Sequence, residues 1–151
     1  VSEAIKMINA SEYLAIVVTN QPVIARGEVT FAELNEIHNK METLLGKDGA
    51  YLDAIYYCPH HPDKGFPNEV PELKIKCHCR KPDIGMLEEA QKRFNIDLEN
   101  SWMIGDSNLD VLCGTNAKCH TIFLGDKEKC LHKADYYCQD LYEAIKTILE
   151  R

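Results

Sequence analysis

The sequence predicts an α/β fold, a parallel sheet with helices on both faces. Three observations carry that expectation. Short apolar runs alternate with segments of helical period along the 151 residues. The first run is continuous rather than alternating, as in a strand buried on both faces. Polar or reactive residues, Thr19-Asn20, Cys58 and Gly105-Asp106, close three of the runs, where such a sheet places its ligands.

The elements follow in order. "VSEAIKMINA" reads as a helix with Ile5 and Ile8 on one side. "YLAIVVTN" (13–20) reads as the doubly buried strand. Thr30 and Glu33 form a capping box, opening a helix with Phe31, Leu34, Ile37, Met41 and Leu44 at helical spacing. "DAIYYC" (53–58) is a second strand. Pro82 and Asp83 begin a helix with Met86, Leu87, Ala90 and Phe94 on one side. "SWMIGD" (101–106) is a third strand, "NLDVLCGTNA" a short helix, "CHTIFLG" (119–125) a fourth strand, and "ADYYC" a short edge strand. Asp140 and Glu143 cap a last helix with Leu141, Ala144, Ile145, Ile148 and Leu149 inward. The whole, 1–151, is expected to be a single domain.

Bulk properties narrow the function. A net charge of −7 without a basic block argues against nucleic acid as the main partner. No apolar run approaches membrane-spanning length, and no signal peptide opens the sequence. Seven cysteines cannot all pair internally. A reducing cytoplasm, with thiols and metal, is the expected setting.

Residues 58–82, "CPHHPDKGFPNEVPELKIKCHCRKP", are rich in proline and lack a helical period. They hold three of the seven cysteines and three of the six histidines. Extended backbone puts residues i and i+2 on the same side. Cys58 with His60, and Cys77 with Cys79, therefore make two pincers that can close a tetrahedral Cys3His site, which suits zinc. His78 points away from its pincer, and His61 faces opposite to Cys58. Four protein ligands leave no open position, so this zinc is structural, a cross-link that stands in for burial across 58–79. Ordinary reduced thiols are the alternative. A zinc-ribbon nucleic-acid module is another, although ribbons more often use C-x2-C pairs. Cys113, Cys119, Cys130 and Cys138 are scattered and read as buried thiols or bystanders.

The loop delivers Arg80 and Lys81 directly after its last ligand, which suits a phosphate held beside a strand end. Thr19 and Asn20 supply a hydroxyl and an amide that can donate to phosphate oxygens, or else a turn and a cap. In "GDSNLD" (105–110), Gly105 permits a tight exit and Asp106 offers Mg²⁺ a hard oxygen ligand, with Asp110 one turn further as support. Asp106, Ser107 or Asn108 equally suits the N-cap of the next helix.

"VVTNQ…IARG", "YYCPHHP…CHCRKP…GML" and "MIGDSNLD" together resemble the haloacid-dehalogenase-like phosphatases, a Rossmann-like fold. The branch most resembled is that of the D,D-heptose 1,7-bisphosphate phosphatases, with the histidinol-phosphatases beside it. The resemblance runs from about Ala15 to the last helix. It implies Thr19 as the phosphate-binding hydroxyl, Lys81 as the charge-balancing lysine and Asp106 as the Mg²⁺ ligand. It implies Arg80, Asn20 and Arg26 as substrate-binding residues, and Cys58, His60, Cys77 and Cys79 as holders of the zinc. The implied reaction is hydrolysis of a sugar phosphomonoester through an aspartyl-phosphate.

The family carries its nucleophile in a D-x-D-G-[TV] motif, and no such aspartate pair occurs in these residues. The expectation is therefore a member truncated at its N-terminus, with apolar strand edges exposed. A non-catalytic phosphosugar-binding protein is the alternative from another class. The expected partner is a small sugar phosphate and the expected state a monomer, with an isologous dimer through a strand edge also compatible.

Overall fold

The structure is a computed structural model that describes residues 1–20, 27, 29–60 and 77–151. The chain forms two compact units, Ser2–Arg80 and Lys81–Arg151, the second including Val1.

The first unit runs α1 (Ser2–Asn9), β1 (Ile16–Asn20), α2 (Phe31–Lys47) and β2 (Ala54–Cys58). β1 and β2 are parallel, in register from Ile16 opposite Ala54 to Asn20 opposite Cys58. Asp53 pins the start of the pair. Its carboxylate accepts from the Ala15 N–H at 2.7 Å, and its own N–H donates to the Ala15 carbonyl at 2.7 Å. Thr30 and Glu33 close the expected capping box, each accepting from the other's backbone N–H at 3.1 Å. Two expectations change. β1 is half-buried along its length rather than buried on both faces. Among the described residues it pairs with β2 alone, so only one edge is covered. In α2 the inward residues are Leu34 and Leu45, whereas Phe31, Ile37 and Leu44 are about half exposed. The helix is apolar over a wider arc than is buried among the described residues.

The second unit runs α3 (Gly85–Phe94), a 3₁₀ turn at Leu98–Asn100, β3 (Trp102–Gly105), α4 (Asn108–Asn116) and β4 (His120–Leu124). A 3₁₀ turn at Lys127–Lys129, β5 (Tyr136–Cys138) and α5 (Leu141–Leu149) complete it. The three strands are parallel in the order β3-β4-β5, which puts the expected short strand at the edge.

Helices cover both faces of this sheet. Gly114 of α4 lies against Met103 and the Thr121 methyl, which neighbour each other in register. On the opposite face, Cys138 sits 3.8 Å from Thr147 of α5 and shares its side with Leu124. Ile122, Ala144, Ile145 and Ile148 are buried, while Leu149 remains partly exposed. Asp135 repeats the device of Asp53, accepting from the Thr121 N–H at 2.8 Å as its own N–H donates to the Thr121 carbonyl. The expected helix start at Pro82-Asp83 shifts to Gly85, with Ile84 at the N-cap and no side-chain cap. The backbone carbonyls of Pro82 and Asp83 instead accept from Asn116 at 3.2 Å and Cys113 at 3.4 Å, which ties this segment to α4.

The contact at Gly114 yields a test. A Cβ there would fall 2.6 Å from Thr121 Cγ2 and 2.7 Å from Met103 Cβ. Alanine raises helix propensity by about 1 kcal/mol but overpacking costs about 1–3 kcal/mol, and here both neighbours sit on sheet backbone with little room to give. Gly114→Ala therefore lowers the unfolding free energy in urea, and a more stable variant would contradict this packing.

Candidate functional site

In the first unit, β2 ends at Cys58, and the chain returns to it at Cys77 and Cys79. The four expected ligands converge, with one donor atom from each of Cys58, His60, Cys77 and Cys79 within 4.8 Å of all the others. Cys58 Sγ lies 3.3 Å from Cys77 Sγ and 3.6 Å from His60 Nδ1. Cys79 Sγ lies 3.3 Å from His60 Nδ1, 3.5 Å from Cys77 Sγ and 2.6 Å from Cys58 Sγ. A tetrahedral ion with sulfur ligands at about 2.3 Å needs edges of roughly 3.5–3.8 Å. Four of the five separations lie close to that, and the Cys58–Cys79 edge is shorter.

The chemistry of the donors points the same way. Burial pushes the Cys58 and Cys79 thiols up, and the neighbouring sulfurs raise Cys79 further. At Cys77 burial also raises, but hydrogen bonds from Cys58 and Cys79 outweigh it and the thiol is lowered. Three crowded sulfurs resist ionising together unless a cation offsets their charge. The set therefore fits a metal ion, and His78 is exposed as its position predicts. Burial holds Cys113 and Cys119 at about 11, so both are ordinary neutral thiols.

Thr19 and Asn20 close β1 on the same edge, with Thr19 opposite Tyr57 and Asn20 opposite Cys58. The polar pair and the metal-ligand cluster thus share the carboxyl end of one parallel ladder. Arg80 follows Cys79 and is half-buried. Arg26 and the whole loop between the pincers, 61–76 with His61, lie outside the described residues.

The second unit holds the remaining predicted residues. Lys81 Nζ lies 2.5 Å from Asp110 Oδ1, and both side chains are largely buried, at 12% and 9% exposure. Asp110 is the N3 residue of a capping box. Its Oδ2 accepts from the Ser107 N–H at 3.3 Å and the Ser107 hydroxyl at 3.1 Å, and Ser107 Oγ accepts from the Asp110 N–H at 3.3 Å. Gly105 is glycine because a Cβ would overlap the Asp110 carboxylate. Ser107 is the cap, which leaves Asp106 exposed just beyond the end of β3. Sequence reasoning assigned Asp110 to the support of Asp106 and did not foresee its pairing with Lys81. The S-x-x-D spacing at 107–110 carried the capping half of that signal. The lysine half needed the fold. Among the described residues, no three carboxylates cluster, so Asp106 offers a divalent ion one hard oxygen and not a complete site.

A parallel sheet whose strand ends in Gly-Asp, beside a buried lysine, is the layout of a haloacid-dehalogenase-like hydrolase. Residues 78–144 match the HAD-hydrolase-like family. The chain is 43% identical to a D-glycero-beta-D-manno-heptose-1,7-bisphosphate 7-phosphatase of Pasteurella multocida, covering 97% of this chain and 79% of that protein. It is 36% identical to the protein of the same name in Haemophilus ducreyi, covering 98% of this chain and 82% of that one. The crystal structure of D,D-heptose 1,7-bisphosphate phosphatase from B. bronchiseptica, complexed with magnesium and phosphate, superposes with a TM-score of 0.83 at 31% identity. That superposition covers 99% of this chain and 81% of the other. The chain belongs to the family of the D,D-heptose 1,7-bisphosphate phosphatases.

The Lys81–Asp110 pair sets a prediction. Asp110→Asn leaves a buried ammonium without its carboxylate, and should lower the unfolding free energy by about 2–4 kcal/mol. Asp106→Asn, at an exposed position, should stay within about 0.5 kcal/mol. Urea unfolding of both variants checks the contrast, and equal effects would refute it.

Proposed function

We propose that this chain carries the phosphate-binding and metal-holding groups of a phosphomonoester hydrolase. Its substrate is D-glycero-D-manno-heptose 1,7-bisphosphate. The observation that carries the proposal is the buried Lys81–Asp110 pair beside the carboxyl end of β3, in a chain similar to heptose bisphosphate phosphatases along nearly its whole length.

The roles follow from the groups present. Lys81 presents three N–H donors of the kind that bind phosphate oxygens, and one of them donates to Asp110. Asp110 fixes where that ammonium sits. Thr19 and Asn20 donate to the phosphate, and Arg80 and Arg26 meet the rest of the sugar phosphate. Cys58, His60, Cys77 and Cys79 would hold a structural zinc, which ties the chain together just before Arg80. Asp106 would give one oxygen to Mg²⁺, which when bound offsets phosphate charge. No aspartate pair of D-x-D spacing occurs in these 151 residues, so the attacking carboxylate is assigned to none of them. What they supply is binding, orientation and charge balance. We place the protein in the cytoplasm as a monomer, with a small sugar phosphate as its partner. No helix among the described residues is long and apolar enough to cross a membrane.

Two measurements test this. The product of the natural gene should release phosphate from the heptose bisphosphate with Mg²⁺, and Lys81→Ala should lower kcat by about 100-fold or more. Absence of release from every sugar phosphate would overturn the hydrolase reading, and binding without release would favour a phosphosugar-binding protein instead. Elemental analysis after metal-replete purification should find about one zinc per chain, and Cys79→Ser should abolish it. A zinc-free protein of unchanged melting temperature would remove the metal from the account.

A further inference from the structure

An ammonium that balances phosphate charge acts from a fixed place, and a lysine has two ends to fix. Asp110 holds the tip of Lys81. The root is the backbone. Lys81 opens the continuous part of the second unit, and residues 81–84 lie outside helix and strand before α3 starts at Gly85.

α4 meets this segment at three of its residues. Asp110 accepts from the Lys81 ammonium, the Cys113 thiol donates to the Asp83 carbonyl at 3.4 Å, and Asn116 Nδ2 donates to the Pro82 carbonyl at 3.2 Å. Positions 110, 113 and 116 stand three apart, which sets them along one ridge of a helix. The ridge grips Lys81 by its tip and, through the two residues that follow, by its root.

The helix that supplies the ridge is itself fixed. Val111 and Cys113 are buried, Gly114 seats α4 against Met103 and Thr121, and Ser107 caps its start. The two backbone grips differ in kind. Cys113 is 1% exposed, and burial holds its thiol at about 11, so it keeps the proton that it donates. Asn116 is exposed, and its bond to Pro82 competes with water, so it adds little to stability. A bond of small energy still counts where it sets the place of a charge, since a displacement of about 1 Å can cost about 100-fold in rate.

We propose that Asn116 and Cys113 are positioning residues for Lys81. They hold the backbone that follows it, so that the ammonium on Asp110 meets a phosphate at one set point. This rests on the hydrolase reading above.

The test is a double-mutant cycle on the product of the natural gene, with the heptose bisphosphate and Mg²⁺. Asn116→Ala should lower kcat about 3- to 10-fold and change KM less than about twofold. In a Lys81→Ala background the same substitution should lower kcat less than about twofold, because the group it positions is gone. Cys113→Ser keeps a donor toward Asp83 and should retain more activity than Cys113→Ala. Equal losses from Asn116→Ala with and without Lys81, or no loss in either, would overturn the proposal while leaving the hydrolase reading intact. A second readout needs no turnover: the NMR signal of the Lys81 ammonium, whose protons should exchange with water faster in Asn116→Ala than in the unaltered protein. If no sugar phosphate is hydrolysed, the hydrolase reading falls, and an unchanged exchange rate then refutes the positioning as well.

Discussion

The carboxylate of Asp110 is the point on which the second unit's chemistry turns. One side chain does three things. It receives the Lys81 ammonium, closes the cap of α4 through Ser107, and occupies the space that Gly105 leaves by having no side chain. Each contact constrains the others. A larger residue at 105 would push the carboxylate off the lysine, and loss of Ser107 would release it from the helix end. The pair is largely buried, so each charge needs the other. The lysine is thereby presented at the edge of the sheet with its position set before any ligand arrives. Such preorganisation is what gives a charged group its effect on a phosphate.

The first unit solves a different problem. Its last described segment returns to β2 without a strand or helix of its own, and Cys77 and Cys79 come back to Cys58 and His60. Donor atoms replace apolar area as the means of holding it. Because Asn20 stands opposite Cys58 in the β1–β2 ladder, the same edge carries both the cluster and the candidate phosphate-binding pair.

Charge is arranged locally against the average. The chain carries −7 overall, yet Lys81, the cation proposed to balance phosphate charge, is held at a defined place by Asp110. In a protein of this net charge, a dianionic ligand is drawn by where the cations are fixed, not by the overall field. Three of the four cysteines outside the cluster serve packing. Cys113 and Cys138 are buried, and Cys130 anchors a loop by its apolar contacts.

Much of this was legible in the residues. Strand and helix order followed from apolar runs and caps, because Thr30 with Glu33 and Asp140 with Glu143 mark helix starts through purely local hydrogen bonds. The metal set was legible because i, i+2 spacing in an extended chain aims side chains together. Sequence alone missed what depends on neighbours. The wide apolar arc of α2 gave no sign that Ile37 and Leu44 would stay exposed. β1 looked doubly buried because composition does not count adjacent strands. Pro82-Asp83 resembled a helix start, yet hydrogen bonds from Asn116 and Cys113 claim their carbonyls instead. Local spacing thus determined the elements, the caps and the four residues of the candidate metal cluster. Only tertiary structure decided that Asp110 would hold Lys81, since the two lie 29 residues apart and meet through packing that no local pattern encodes.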